Sequence, residues 1–215
     1  MSEGVCARAT RLCLSLVIVA TLADAQQPAA SRPTKSDRMR DRVAVLRTEA
    51  QSTSPFVSTA LVKKMRADLP RVLQSAPPLA QCRFFGALSI EELRIGEVEA
   101  AIASLKKAES YLPQFTGRER FGYEVEVNFR LGLSYLRLAE NENCVACCNG
   151  ERCVFPVIGA GVHEKPEPSR HAAAHFERAL ALEPGESDLK TVLRWLYNIT
   201  KMTLGEYPAG VPAAE

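Results

Sequence analysis

The 215-residue chain lacks an excess of either charge: 27 Lys and Arg face 25 Asp and Glu, for a formal net charge of +2. That balance removes any global electrostatic attraction to nucleic acid or to an anionic membrane, and neither partner is expected. Beyond residue 25 no apolar run approaches the roughly 18 to 20 residues that a membrane helix needs. Catalytic motifs are missing too. There is no G-x-S-x-G, no P-loop and no H-E-x-x-H, and His171 and His175, four apart, lack the intervening glutamate and a third ligand. Cys147 is followed by Cys148 and Asn149, so no C-x-x-C-H exists for covalent haem. A thioredoxin-like redox role would need a βαβ context that the pattern does not offer. Neither an enzyme nor a resident cofactor is expected.

What is present begins with an address. Arg8 and Arg11 precede the eleven-residue apolar run LCLSLVIVATL, which Ala23-Asp24-Ala25 follows as a small-x-small cleavage site. Residues 1–25 therefore read as a signal peptide, with the mature protein periplasmic or secreted. Residues 26–35 are polar and proline-containing, the composition of a flexible linker. A helical lead-in is expected over residues 36–78. Ser36-Asp37 open it, Met39, Val43, Leu46, Phe56, Leu61, Met65, Leu69 and Val72 carry its helical spacing, and Ala76-Pro77-Pro78 close it.

From residue 79 the chain repeats itself. Ala101, Leu105, Ala108 and Pro113 are spaced by four, three and five residues, and Ala172, Phe176, Ala179 and Pro184 reproduce those intervals. Small residues let helices approach, a large one fills the space between them, and proline ends each helix. A partner helix should precede each ladder. In NFRLGLSYLRLAE, Leu131-Gly132 lies three residues before Tyr135; with the ladder that follows, this resembles the tetratricopeptide pattern L-G-x2-Y, then A-x3-F, A and P. Ser89 fits the register of Gly132, yet lies twelve residues before Ala101, whereas Gly132 lies forty before Ala172. The second pair thus carries 28 extra residues between its helices. A last helical stretch, DLKTVLRWLYNITKMTLGEYP, is expected to cap the array with Trp195 in the core. The expected architecture is all-α: tetratricopeptide-like antiparallel hairpins forming a short α-solenoid over 79–210, with a cysteine-rich loop insertion over 140–170.

NFRLGLSYLRLAENENC, CVFPVIGAGVH and RWLYNITKMTLGEYPAGVP resemble the helical region that precedes an FG-GAP (VCBS-type) β-propeller in exported bacterial proteins of the ASPIC/UnbV type. The resemblance implies a helical module joined to a propeller, with no established reaction. The sequence stops where the propeller would start, so a separate β-propeller protein is one partner to expect.

The insertion holds Cys144, Cys147, Cys148 and Cys153. In an oxidising compartment clustered cysteines pair, and four permit three pairings. The resemblance implies Cys144 with Cys153, closing a ten-residue loop that would stabilise by about 2.5 to 3 kcal/mol. The alternative is a periplasmic metal-handling (copper or zinc) or thiol-redox protein using the cluster from Cys144 to Cys153, with Cys147, Cys148 and His163 as candidate ligands. Cys82, near Phe84 and Phe85, reads as a buried thiol.

The favoured function is a protein-interaction module, because helical arrays of this kind bind a protein or peptide in a concave groove. Aligning Ser89 with Gly132 puts Arg94 and Arg137 at one register, with Arg83 and Arg130 earlier on the same helices. These four are the candidate partner-binding residues, a basic strip suited to carboxylates. Alternatively, Arg94 and Arg137 pair with Glu91, Glu92, Glu140 or Glu142.

Overall fold

The computed structural model describes residues 34–54, 56–145, 151 and 154–212. Residues 1–25, expected as a signal peptide, and most of the expected linker over residues 26–35 lie outside them. Among the described residues there are seven α-helices and no strand: α1 (Lys35–Thr53), α2 (Ala60–Ser75), α3 (Pro78–Arg94), α4 (Val98–Glu109), α5 (Gly117–Glu140), α6 (Glu167–Leu182) and α7 (Asp188–Thr203). None of these is long and apolar enough to cross a membrane. By its internal contacts the chain divides into two units, Met1–Thr48 and Glu49–Glu215.

Helix α1 opens at Thr34, not at the expected Ser36-Asp37. Thr34 and Asp37 cap each other: the Asp37 N–H donates to Thr34 Oγ1 (3.1 Å) and the Thr34 N–H to Asp37 Oδ2 (2.9 Å). That is the reciprocal capping arrangement with Asp in place of Glu. The helix buries none of its residues, and Met39, Val43 and Leu46 are exposed despite their helical spacing. The residues of the lead-in form two helices, α1 and α2. Ser54, which precedes a proline in the sequence, is disfavoured in the α conformation, and the chain leaves the helix there.

In the second unit each helix packs on its neighbour in sequence from α2 to α7. Proline starts α3, with Pro78 in the first turn where no N–H is needed. Gly96, at φ +85°, ends it: the Gly96 N–H reaches Leu93 O and the Glu97 N–H reaches Glu92 O, the paired bonds of a Schellman stop.

The repeated ladder forms the helix contacts. Ala101, Leu105 and Ala108 on α4, and Ala172, Phe176 and Ala179 on α6, are all 1 % exposed or less. A Cβ added to Gly132 would sit 2.5 Å from the Phe176 ring, so only glycine lets α5 approach α6 this closely. Two apolar clusters result. One joins Phe85, Leu105, Tyr111, Phe115 and Leu131; the other joins Leu136, Phe176, Leu193, Leu196 and Tyr197. The 24-residue α5 serves both, and Tyr135 packs against each.

Candidate functional site

The α3, α5 and α7 helices border a groove of about 1150 Å³. Its walls are largely apolar, with Ile90 and Leu93 from α3, Phe121, Phe129 and Leu133 from α5, and Leu189 and Trp195 from α7. Trp195 corrects the expectation of core packing: it is 61 % exposed. The buried face of α7 is Leu193, Leu196, Tyr197 and Thr200, and a residue two positions from Leu193 falls about 200° round the helix from it. Counting by the helical period could have found this; reading Trp195 as part of one apolar stripe hid it.

Three of the four candidate arginines border this groove, Arg94, Arg130 and Arg137. The fourth, Arg83, lies at a smaller cleft between α3 and α5, where its guanidinium sits over the Tyr123 ring at 5.5 Å and bonds the Tyr123 hydroxyl. That bond raises the Arg83 pKa further. Each groove arginine has a carboxylate beside it. Arg94 donates to Glu91 (2.8 Å), and also to the Phe56 and Ser58 carbonyls (2.9 and 2.7 Å), tying the segment before α2 to α3. Arg130 pairs with Glu126 and reaches the Gly86 carbonyl, and Arg137 pairs with Glu140 at 2.7 Å. Glu92 is committed elsewhere. It accepts from Arg66 (2.8 Å) and from the Ser104 hydroxyl (2.6 Å), a junction of α2, α3 and α4 that no motif or spacing announces. Hydrogen bonds from Arg66 to Glu97 and Glu92 raise its pKa. The groove therefore has an apolar interior and a rim of internally compensated charge.

The other candidate region is the α5–α6 connection. Cys147, Cys148 and Cys153 lie outside the described residues, and with them the expected Cys144–Cys153 disulfide. Cys144 and His163 are described and are neighbours, with Cys144 Sγ 3.6 Å from His163 Nε2. His163 is buried, and its Nδ1 is 2.9 Å from Ser169 Oγ. Its backbone N–H donates to Thr203 O on α7 at 2.8 Å. Beside Cys144, Asn143 bonds both Ala139 O and Lys165 O and accepts from the Lys165 N–H, closing the base of the connection. The sequence grouped His163 with the cysteine cluster as a candidate ligand; that Cys144, nineteen residues away, is the cysteine beside it comes from the fold of the connection. Among the described residues no group of three or more His, Cys, Asp or Glu is arranged to hold a metal.

His171 and His175 both stack on Tyr135, at 4.8 and 5.6 Å between ring centres. His175 Nδ1 also meets Asn128 Oδ1 at 2.9 Å, and burial, with Lys106 nearby, lowers its pKa to about 4. Cys82 is buried and its thiol donates to Ala108 O; burial raises its pKa. Comparison of the chain with protein-family models, with curated proteins and with solved structures finds no match.

Proposed function

We propose that the chain is an exported, tetratricopeptide-type interaction module that receives a peptide segment of a partner protein in the groove bordered by α3, α5 and α7. The observation that carries this reading is the exposure of Trp195 on a groove wall shared with Ile90, Phe129 and Leu133. Contiguous exposed apolar surface in a concavity is a mark of a binding site. Because the rim arginines are neutralised by their own carboxylates, the segment that fits is chiefly apolar, with carboxylates able to displace Glu126 and Glu140 from Arg130 and Arg137. The likeness of three segments to helical modules ahead of a β-propeller makes a propeller protein the first partner to try.

Trp195 is the single tryptophan, so its fluorescence reports directly on the groove. The test is to select binders from an array of apolar-acidic peptides on the full chain, then titrate them against wild type, Trp195→Ala and Leu133→Glu. Both variants should weaken binding at least tenfold, since central aromatic anchors carry about 2 kcal/mol or more. Affinity unchanged in both would place the partner on another surface.

A further inference from the structure

We infer that the exposed apolar stripe of α1 is a docking surface for an amphipathic helix of a partner protein whose own apolar stripe is flanked by carboxylates. Met39, Val43, Leu46 and Ala50 are spaced by four, three and four residues, the interval of the core positions in a two-stranded helical seam. Val43 stands where such seams favour a β-branched residue, and Leu46 where they favour leucine. At about 100° per residue the four fall within about 60° of the helix circumference. Met39, Val43 and Leu46 are exposed, and α1 buries none of its 19 residues. Helices in proteins draw most of their stability from covering an apolar face, so this bare stripe calls for a partner.

Charge says which partner. Lys35 and Arg42 run along one edge of the stripe and Arg40 and Arg47 along the other, whereas Asp37 and Asp41 lie on the far side. Glu49, near the end of the helix, is the single carboxylate among the edge positions. Arg40 is paired with Asp37; Arg42 and Arg47 are exposed and make no ion pair among the described residues. Two copies of α1 laid stripe to stripe would repel each other in either orientation. Parallel, Arg40 faces Lys35 and Arg47 faces Arg42 of the other copy; antiparallel, Arg40 faces Arg47. An anionic membrane surface fits less well, because helices that lie in one present a broad apolar face carrying Trp, Phe or Leu, and this stripe is narrow and has no aromatic residue. A partner helix with Glu or Asp at its edge positions both covers the stripe and pairs with the Arg42 and Arg47 guanidiniums. The surface belongs to α1 and does not depend on the groove.

The test is fluorescence anisotropy of two labelled synthetic helices of about three heptads, alike in their Val and Leu seam, one with Glu and one with Lys at the edge positions, titrated with the full chain. The Glu peptide should bind and the Lys peptide should not, and added salt should weaken the complex. Leu46→Asp should lower the affinity at least about tenfold, the scale of a buried anchor. Arg42→Glu combined with Arg47→Glu should reverse the preference, so that the Lys peptide binds and the Glu peptide does not, a result that an unfolded α1 could not give. Equal binding of the two peptides, or an affinity indifferent to Leu46→Asp, would overturn the proposal. So would co-sedimentation with phosphatidylglycerol vesicles without binding of the Glu peptide, which makes α1 a membrane-surface helix. Self-association of the chain that Leu46→Asp abolishes, with neither peptide bound, would overturn it too and make the partner a second copy.

Discussion

The α3–α4 pair is joined by residues 95–97, three positions centred on the Gly96 stop, whereas residues 141–166 join α5 to α6. The sequence ladder aligns particular positions of the two pairs. Leu105 and Phe176 hold the same place, and so do Ser104 and His175, Glu92 and Tyr135. In both pairs those last positions touch across the helix interface, but by unlike chemistry. Ser104 donates to the Glu92 carboxylate at 2.6 Å, while His175 stacks on Tyr135, nearly parallel at 8°. What recurs is the burial of the small and large ladder residues, not the polar side-chain contact. The link length is free to vary because Asn143 and Lys165 bring the ends of the long connection together where α5 leaves off.

The strongest way to break that equivalence is to empty the shared position. Phe176→Ala should cost about 3–5 kcal/mol and Leu105→Ala about 2–5 kcal/mol, measured by denaturant unfolding, because each leaves a cavity at a buried site. Gly132 crowds the Phe176 ring, so the double variant Gly132→Ala with Phe176→Leu should recover part of the loss. A negligible cost at Phe176 would mean that the two pairs are not packed alike.

The second pair's polar junction responds to acid. His175 is held neutral, with its folded pKa near 4 against an ordinary 6.5. Between those values the unfolded chain takes up a proton that the folded chain refuses, so this contribution is complete above about pH 6.5 and is lost as pH falls towards 4. The loss should be on the order of 1–3 kcal/mol. His175→Gln, which can still meet Asn128, should flatten the slope of stability between pH 6.5 and 4. An unchanged slope would assign the acid sensitivity to another group.

Closure of the long connection can be tested at its base. Asn143→Ala removes the acceptor for the Lys165 N–H and the donor shared by Ala139 O and Lys165 O, at a cost of about 1–3 kcal/mol. Limited proteolysis should then cut between α5 and α6 faster than in wild type, with helical circular dichroism largely kept. Equal cleavage rates would show that the connection is held elsewhere.

How far the sequence could lead is visible in particular residues. The all-helical fold was legible because Ala101–Leu105–Ala108 and Ala172–Phe176–Ala179 repeat at the helical period and proline closes each run. The cap of α1 was placed two residues late because Asp37 reaches back to Thr34 instead of acting as a first-turn acid behind Ser36. Period alone does not say which apolar stripes find a partner, so Met39, Val43 and Leu46 read like core and are exposed. The groove was half legible: its arginines share a register, but whether a guanidinium is open or committed depends on carbonyls such as those of Phe56 and Ser58, far away in sequence. The cysteine cluster and His163 were associated in the sequence, but which cysteine meets the histidine depends on how the long connection folds back.

Arg94 and Arg137 sharpen the comparison at the smallest energies. They stand at one register on α3 and α5, yet Arg94 is 22 % exposed and holds Glu91 and two backbone carbonyls, while Arg137 is 61 % exposed and makes an ion pair with Glu140. Removing Arg94 strands two carbonyls that anchor the segment before α2, so Arg94→Ala should destabilise by about 1–3 kcal/mol. Any loss of partner binding in that variant would then be mixed with loss of structure. Arg137→Ala gives up an exposed pair worth about 0–1 kcal/mol and should leave the unfolding midpoint nearly unchanged. If Arg137 meets a carboxylate of the bound segment, the same variant should weaken peptide binding a few-fold and flatten its salt dependence. Full affinity with the salt dependence intact would show that the groove selects its partner by apolar fit alone, with Trp195 and not the rim as its determinant.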